Sequence, residues 1–344
     1  MLLGISTAVA AGIMLGLYAL PEKYAKDFEF ENTWGSMFFM ALFIIPLIAG
    51  FALVQGFGSV LGQIPSDVYL KMGLASILWG VGVMMWGKAI NYIGLSLGFS
   101  IFIGTVILVG SLLPFLVDGL PPSDKLTVIM AGILVVLVGV IFNGRAGMAR
   151  EADGGAMSEP GEENAEANPA AGGNTTTGII IAIVGGLLAT GFSYANAAGV
   201  STITEAVVAA GNETWTSAIV VMFVIYVAGG LFVVPYFLYQ LSTKNLWGKF
   251  KTPRLGKNLG LTGTMALLNF AASAAFAYAA YQLGDAGNTV GYAIFNTVSV
   301  CVAGLSGYLA GEWTGASARS RRFFGLGIGA MVLGVLVLAY GGSL

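Results

Sequence analysis

The chain is predicted to be an all-α membrane protein of ten transmembrane helices, folded as two five-helix repeats that enter the bilayer in opposite senses. Three observations predict it. First, 57% of the 344 residues are hydrophobic and 9% are charged, with a mean hydropathy of +0.85, so most of the surface must face hydrocarbon. Second, ten apolar runs lie along the sequence, each near the roughly 20 residues that cross a bilayer. Third, one stretch reads twice: Gly94 to Gly119 lies without a gap on Gly287 to Glu312. In that register Gly94, Gly98, Ile101, Phe102, Val109, Leu112 and Leu116 fall on Gly287, Gly291, Ile294, Phe295, Val302, Leu305 and Leu309, with Phe99 on Tyr292 and Phe115 on Tyr308.

The runs lie near Leu2 to Leu20, Ser36 to Val54, Leu70 to Asn91, Ser96 to Val117, Leu126 to Asn143, Gly178 to Tyr194, Ser217 to Leu241, Leu259 to Leu283, Ala286 to Ala310 and Phe323 to Tyr340. The first is read as a retained helix rather than a signal peptide, because Met1, Leu2 and Leu3 supply no basic segment ahead of it. Pro46, Pro114 and Pro235 fall inside the second, fourth and seventh runs; each removes a helix hydrogen bond and marks a candidate kink. Glycine, 51 residues in all, is concentrated in the runs. Gly73, Gly80, Gly82 and Gly87 in the third, and Gly325, Gly327, Gly329 and Gly334 in the tenth, let backbones approach closely where no hydrophobic effect drives association. A helix face without side chains also slides at low cost.

Between the fifth and sixth runs, Arg145 to Thr177 is rich in Gly, Ala, Glu and Asn and carries Pro160 and Pro169. Such a segment cannot bury enough apolar surface to order itself, so it is read as an acidic flexible linker. The chain then divides into a first repeat (1–144), the linker (145–177) and a second repeat (178–344). Lysine and arginine set the orientation. Lys23 and Lys26 follow the first run, Arg145 and Arg150 the fifth, Lys244, Lys249, Lys251, Arg254 and Lys257 the seventh, and Arg319, Arg321 and Arg322 the ninth. The positive-inside rule places these odd loops in the cytoplasm and both termini outside. With an odd number of spans in each half, the second half is inverted relative to the first.

Composition also excludes functions. A net charge of -2 with no basic tract argues against nucleic acid. The absence of histidine removes the usual proton shuttle, metal ligand and general base. No metal site or cofactor is expected. The lone Cys301 sits in an apolar run and is read as packing. No His-Glu-x-x-His or Gly-x-Ser-x-Gly motif and no embedded carboxylate pair is present, so an enzyme is not expected.

Polar residues at membrane depth are costly and point to a pathway. Here they are neutral or aromatic: Trp79, Trp86, Asn91, Ser100, Tyr194, Asn196, Tyr278, Tyr292 and Asn296 are the candidate substrate contacts. Trp79 and Trp86, seven residues apart, share one helix face. Trp34, Trp215, Trp247 and Trp313 lie near span ends and read as interfacial belt or core filling. Amides and hydroxyls that read OH groups, with an aromatic face for the C–H surface of a ring, suit a small neutral sugar. Proton coupling without histidine leaves Glu205 first, where burial would raise the carboxyl's affinity for a proton, then Asp285, and Lys88 if held in a dry cavity. Lys88 reaching to the interface is the plain alternative.

These residues resemble the drug/metabolite transporter superfamily, through the ten runs, the inverted repeat and Gly311–Glu312 closing the ninth run. Within it the chain is similar to the L-rhamnose-proton symporter family, in Leu20 to Trp34, Asn91 to Gly110, Gly191 to Ala198 with Glu205 after it, and Gly311 to Arg322. The resemblance implies proton-driven uptake of a deoxy-hexose across an inner membrane, by a monomer or homodimer in the lipid bilayer. Two features depart from the pattern: Lys88, and the small eighth run Ala271 to Gln282. The competing readings are a metabolite or amino-acid exporter of the same superfamily, and a membrane scaffold or sensor that transports nothing.

Overall fold

A computed structural model describes residues 1–115, 119–152, 175–309, 311 and 313–344. Every regular element among them is helical. The first helix, α1 (Leu2–Leu17), runs into a 3-10 turn at Leu20–Tyr24. Next come α2 (Phe30–Phe39) and α3 (Ile45–Leu53), joined by a π turn at Met40–Ile44. Pro46 explains that turn: it offers no N–H, and its ring would strike the carbonyl four residues back unless the helix widens. The short α4 (Phe57–Gln63) precedes the long α5 (Ser66–Ile93). From α5 the chain enters α6 (Leu95–Leu112) directly through Gly94, whose φ of +76° favours glycine. α7 spans Ser123–Ala152.

The remaining elements are α8 (Thr175–Ala189), α9 (Gly191–Ala209), α10 (Ser217–Thr243), α11 (Leu255–Leu283), α12 (Tyr292–Leu309) and α13 (Ala318–Ser343). A break at Thr190 separates α8 from α9. The α11–α12 junction is a 3-10 turn at Gly284–Ala286 followed by a π turn at Gly287–Gly291. Eight helical stretches are long and apolar enough to cross a membrane, and Leu97–Leu112 is a shorter apolar one. The stretch Leu255–Leu309 holds 55 residues. Unbroken it would reach about 80 Å, far beyond the roughly 30 Å of hydrocarbon, and the turns after Leu283 interrupt it. Leucines spaced to share a face, such as Leu70, Leu74 and Leu78 on α5, or Leu333 and Leu336 with Tyr340 on α13, are exposed. On a multi-pass membrane protein these faces meet lipid.

Small residues set the packing. α1 lies on α11 and α12, α8 lies on α5 and α6, and α7 runs along α13. A Cβ on Gly12 of α1 would stand 2.8 Å from the Phe295 carbonyl oxygen and 2.7 Å from Val298 Cβ; one on Gly186 of α8 would stand 2.9 Å from the Phe102 oxygen and 2.7 Å from Thr105 Cβ. Between α7 and α13, a Cβ on Gly139 would lie 2.8 Å from the Gly327 oxygen, and one on Gly334 3.1 Å from the Gly132 oxygen. Backbones meet closely at these points, as association in lipid requires.

The structure corrects several sequence expectations. Pro114 does not lie inside α6, which ends at Leu112; without an N–H the proline cannot carry the helix hydrogen-bond ladder onward. Arg145 does not open the linker, because α7 continues to Ala152. The Arg145–Ala152 segment docks on the start of α13, with Arg150 over the Trp313 ring at 5.2 Å and Ser320 Oγ donating to the Ala146 carbonyl at 2.7 Å. Of the four tryptophans near span ends, Trp34 and Trp313 are buried, each 8% exposed, as core filling requires. Trp215 and Trp247 are about half exposed. Residues 153–174, the rest of the expected linker, lie outside the described residues. Cys301 is buried, its thiol 3.5 Å from Met331 Sδ.

Candidate functional site

Where α5, α6, α9, α10, α11 and α12 meet, the buried side chains change from aliphatic to aromatic and amide. Gly191 starts α9 hard against α5, where a Cβ would stand 2.1 Å from the Ala75 carbonyl oxygen. That approach brings Phe192, Ser193 and Asn196 into the centre of the bundle, all of them buried. Phe192 stacks at 6.4 Å with Tyr292 of α12 and lies 5.9 Å from Phe276 of α11 and 5.5 Å from Trp79 of α5. Trp79 also meets Tyr226 of α10 at 5.6 Å, and Phe276 stacks on Phe295 at 4.9 Å. Tyr292 closes the cluster against α6, where only a glycine fits: a Cβ on Gly110 would stand 2.5 Å from its ring.

Hydrogen bonds tie this aromatic frame together. Tyr226 Oη lies 2.6 Å from Ser273 Oγ and donates at 2.9 Å to Asn269 Oδ1. Ser193 Oγ faces the carbonyls of Gly110 at 2.7 Å and Asn288 at 3.3 Å. Asn196 Nδ2 donates to Asn288 Oδ1 at 2.5 Å. Asn288 sits on the π turn ahead of α12, a distortion often found at functional sites. Asn196 Oδ1 is buried without a partner, as are Ser111 Oγ and Thr297 Oγ1 on α6 and α12. Buried polar atoms are nearly always paired, so a centre holding unmatched acceptors and hydroxyls is equipped for a ligand with hydroxyls of its own.

Of the residues named from sequence, the structure gathers Trp79, Asn196 and Tyr292. Asn296 is one turn beyond Tyr292 and spends its amide N–H on the Tyr292 carbonyl at 2.9 Å. Trp86 stands apart: its ring meets Phe99 at 6.0 Å and Phe102 at 5.9 Å on α6, and its buried Nε1 has no partner. A shared helix face did not bring the two tryptophans to one place, because α9 and α10 cover the first and α6 the second. Ser100, Tyr194 and Tyr278 are half-buried on α6, α9 and α11, and the Asn91 side chain lies outside the described residues.

The three coupling candidates lie at the surface of this conformation: Glu205 is exposed on α9, Asp285 on the turn before α12, and Lys88 on α5. Glu205 lacks here the burial, and Lys88 the dry cavity, that their coupling roles assume. Among the described residues, no three His, Cys, Asp or Glu side chains gather as a metal site would require. A cavity of about 380 Å³ beside Arg319, Arg322, Phe323 and Leu326 opens at the start of α13, well away from this centre.

With this geometry in place, comparison with known proteins is decisive at the level of family. The family model for the L-rhamnose-proton symport protein (RhaT) matches residues 1–342. The chain belongs to that family. It is 24% identical over 354 residues to an L-rhamnose-proton symporter of Yersinia pestis bv. Antiqua (strain Antiqua). It is 23% identical over 351 residues to those of Yersinia pestis (strain Pestoides F) and Yersinia pseudotuberculosis serotype O:1b (strain IP 31758). Each match covers 99% of this chain and 98% of the relative.

For a member of this family the residues that sequence reasoning passed over are the informative ones. Phe192 and Ser193 stand in the Gly191–Ala198 passage beside Asn196, at a spacing that puts Ser193 and Asn196 on one face. Asn288 follows Gly287 at the start of the repeated stretch, where an asparagine reads as an ordinary end-of-helix residue. Tyr226, deep in α10 and 1% exposed, is the one that hydropathy alone marks out, as a hydroxyl in an otherwise apolar run.

Proposed function

We propose that this protein is a secondary active transporter that takes up L-rhamnose or a closely related monosaccharide by proton symport, through alternating access. The observation that carries the reading is the buried centre itself: amides, hydroxyls and aromatic rings converge there, and every polar side chain named in it is uncharged. A sugar ring needs no counter-charge, while an ionic metabolite would leave a charge unmatched in low dielectric. Membership of a symporter family and relatives named for L-rhamnose and the proton support the same substrate class. A transporter, rather than an enzyme, scaffold or sensor, is the reading these features share.

The mechanism we infer rests on ten spans in two inverted halves, as in the drug/metabolite transporters: α1, α2–α3, α5, α6 and α7, then α8–α9, α10, α11, α12 and α13. The packing supports this pairing. The first span of each half lies on the third and fourth of the other, and the last spans lie on each other. The register of Gly94 on Gly287 carries Phe102 onto Phe295 and Thr105 onto Val298, and these are the residues against which Gly186 and Gly12 rest. Two such halves can rock about a site at their junction. The centre is buried in this conformation, so access from either side requires the halves to part. By the charge rule the odd loops and the linker are cytoplasmic and both termini outside, in an inner membrane. The coupling proton is sought at Glu205 first, then at Asp285, three residues ahead of Asn288, and at Lys88, each of which would have to be enclosed when the halves move. A monomer or a homodimer is equally compatible with one site per chain.

Whole-cell uptake of labelled L-rhamnose, other monosaccharides and amino acids, with and without an uncoupler, tests the reading. L-rhamnose accumulation at least tenfold above a vector control, collapsing with the uncoupler, is expected. Amino-acid or metabolite export with no sugar uptake would overturn it.

A further inference from the structure

We propose that Asn196 and Asn288 together read the hydroxyl groups of the transported sugar, and that each occupies the other when no sugar is bound. The inference rests on the sugar-carrier reading above and adds to it a specificity element that includes a residue no motif points to. Asn196 is 0% exposed and Asn288 5%, so water cannot serve them as it serves a surface amide. Asn196 donates one N–H to Asn288 Oδ1 at 2.5 Å and leaves its own Oδ1 buried without a partner. A side-chain amide carries two donors and an acceptor with two lone pairs. A structural amide in a dry interior normally satisfies that acceptor; here it stays unused, one turn along α9 from Phe192.

The surroundings hold the two amides ready. Phe192 and Tyr292, stacked on each other at 6.4 Å, stand four residues from Asn196 and Asn288 on their respective elements, so their faces become available to a C–H surface when the halves part. Ser193 Oγ ties α9 to the Asn288 carbonyl at 3.3 Å and to Gly110 of α6 at 2.7 Å. The π turn at Gly287–Gly291 lets Asn288 reorient without unwinding α12. A vicinal diol entering here accepts from the amide N–H groups and donates to Oδ1 of Asn196, so the amide–amide bond is exchanged for two amide–hydroxyl contacts. The amide–amide bond offsets part of the cost of burying the two side chains, the unmatched Oδ1 leaves the rest, and a ligand with paired hydroxyls relieves it.

The test uses full-length protein in membranes, with Asn196→Ala, Asn288→Ala and the double variant. Initial uptake of labelled L-rhamnose is measured in competition with L-rhamnose analogues that lack or invert one ring hydroxyl. Each single variant is expected to raise the half-saturation concentration at least tenfold and to flatten the preference for L-rhamnose over one and the same analogue. The double variant is expected to be no worse than the poorer single one, since the pair acts as a unit. Variants with unchanged preference beside a transporting wild type overturn this inference and leave the sugar-carrier reading intact. A wild type that moves no sugar overturns both. Asn288→Gln separates reading from scaffolding: it is expected to retain surface expression and change the analogue ranking, and an unchanged ranking counts against the proposal.

Discussion

The two ends of the helix bundle are joined in different ways. At one end the segment ahead of α2 is bound to the segment between α10 and α11 by a dense polar seam. Lys249 pairs with Glu29 at 2.7 Å, and Lys244 pairs with Glu31. Thr252 Oγ1 donates to Asp27 Oδ2 at 2.8 Å, Asn258 Nδ2 to the Lys26 carbonyl at 2.7 Å and Asn32 Nδ2 to the Leu246 carbonyl at 3.1 Å. Phe28 meets Phe250 edge-on at 5.2 Å. Asp27 holds a φ of +68° there, which aspartate tolerates better than most residues. At the opposite end, one side chain joins the segment after α3 to the segment after α9: Asn212 Oδ1 accepts from Gln55 N at 2.6 Å, and its Nδ2 donates to the Gln55 carbonyl at 3.0 Å.

If the halves are inverted copies, exchanging them carries one junction onto the other. The same gate is then built twice, once with ion pairs and once with a single amide. Exposed ion pairs contribute only about 0.2–1 kcal/mol each, but several that must break together add up. The amide end is therefore expected to open first from this closed conformation, and in the orientation proposed above it is the end away from the cytoplasm. An uptake carrier resting with its outer door the weaker one is poised to receive solute from outside.

The strongest way to break this comparison is to weld each end in turn. Cysteines at Glu29 and Lys249 oxidised to a disulfide, and separately cysteines at Gln55 and Asn212, are each expected to cut uptake to less than a tenth, with recovery on reduction. Native Cys301 is buried and does not interfere. If either weld leaves uptake unchanged, that end does not part during transport and the two-gate picture is lost.

A smaller effect is expected from exchanging the Glu31–Lys244 charges. Glu31 is buried and Lys244 is half exposed, so Glu31→Lys or Lys244→Glu sets like charges together in a partly dry site and is expected to lower uptake several-fold. The doubly exchanged variant is expected to recover most of it, which a double-mutant cycle on initial rates measures. Single and double variants that are equally impaired would show that the pair serves only the local fold.

Much of this was legible beforehand, for reasons that also explain the errors. The apolar runs fall on helical segments, and eight helical stretches among the described residues are long and apolar enough to cross a membrane, because hydropathy over some 20 residues records the solvent directly. Pro46 marked a real distortion, while Pro114 only ended a helix, since a proline near a helix end has a cheaper option than a kink. Trp79, Asn196 and Tyr292 were visible as polar or aromatic groups too deep to be incidental. Asn288 was hidden because an asparagine at the edge of a run looks like a loop residue until α11 and α12 are seen to fold it inward. The exposure of Glu205 was not legible for the converse reason: a lone carboxylate near a helix end carries no sign of which face it lies on, and α9 turns it outward. The charged seam was not legible at all. Its acids and bases are more than 200 residues apart in the chain, and loop charges had been counted only for their sign.

The finest test of the difference between the ends concerns Asn212 alone. Asn212→Ala removes two exposed neutral hydrogen bonds to Gln55; water replaces much of what is lost, so each falls at the low end of the usual range, about 0.5 kcal/mol, and together they are worth roughly a factor of five in a two-state population. Uptake is therefore expected to change by less than about fivefold. Hydrogen exchange is the sensitive readout: amides of α4, Phe57–Gln63, should exchange several-fold faster in the variant, while those of Leu20–Tyr24 near the charged seam should not move. Equal acceleration at both ends would mean that the bundle loosens as one body. No acceleration at α4 would mean that the amide is not what holds that end, and the contrast between a strong gate and a weak one would have to be sought in the buried aromatic centre instead.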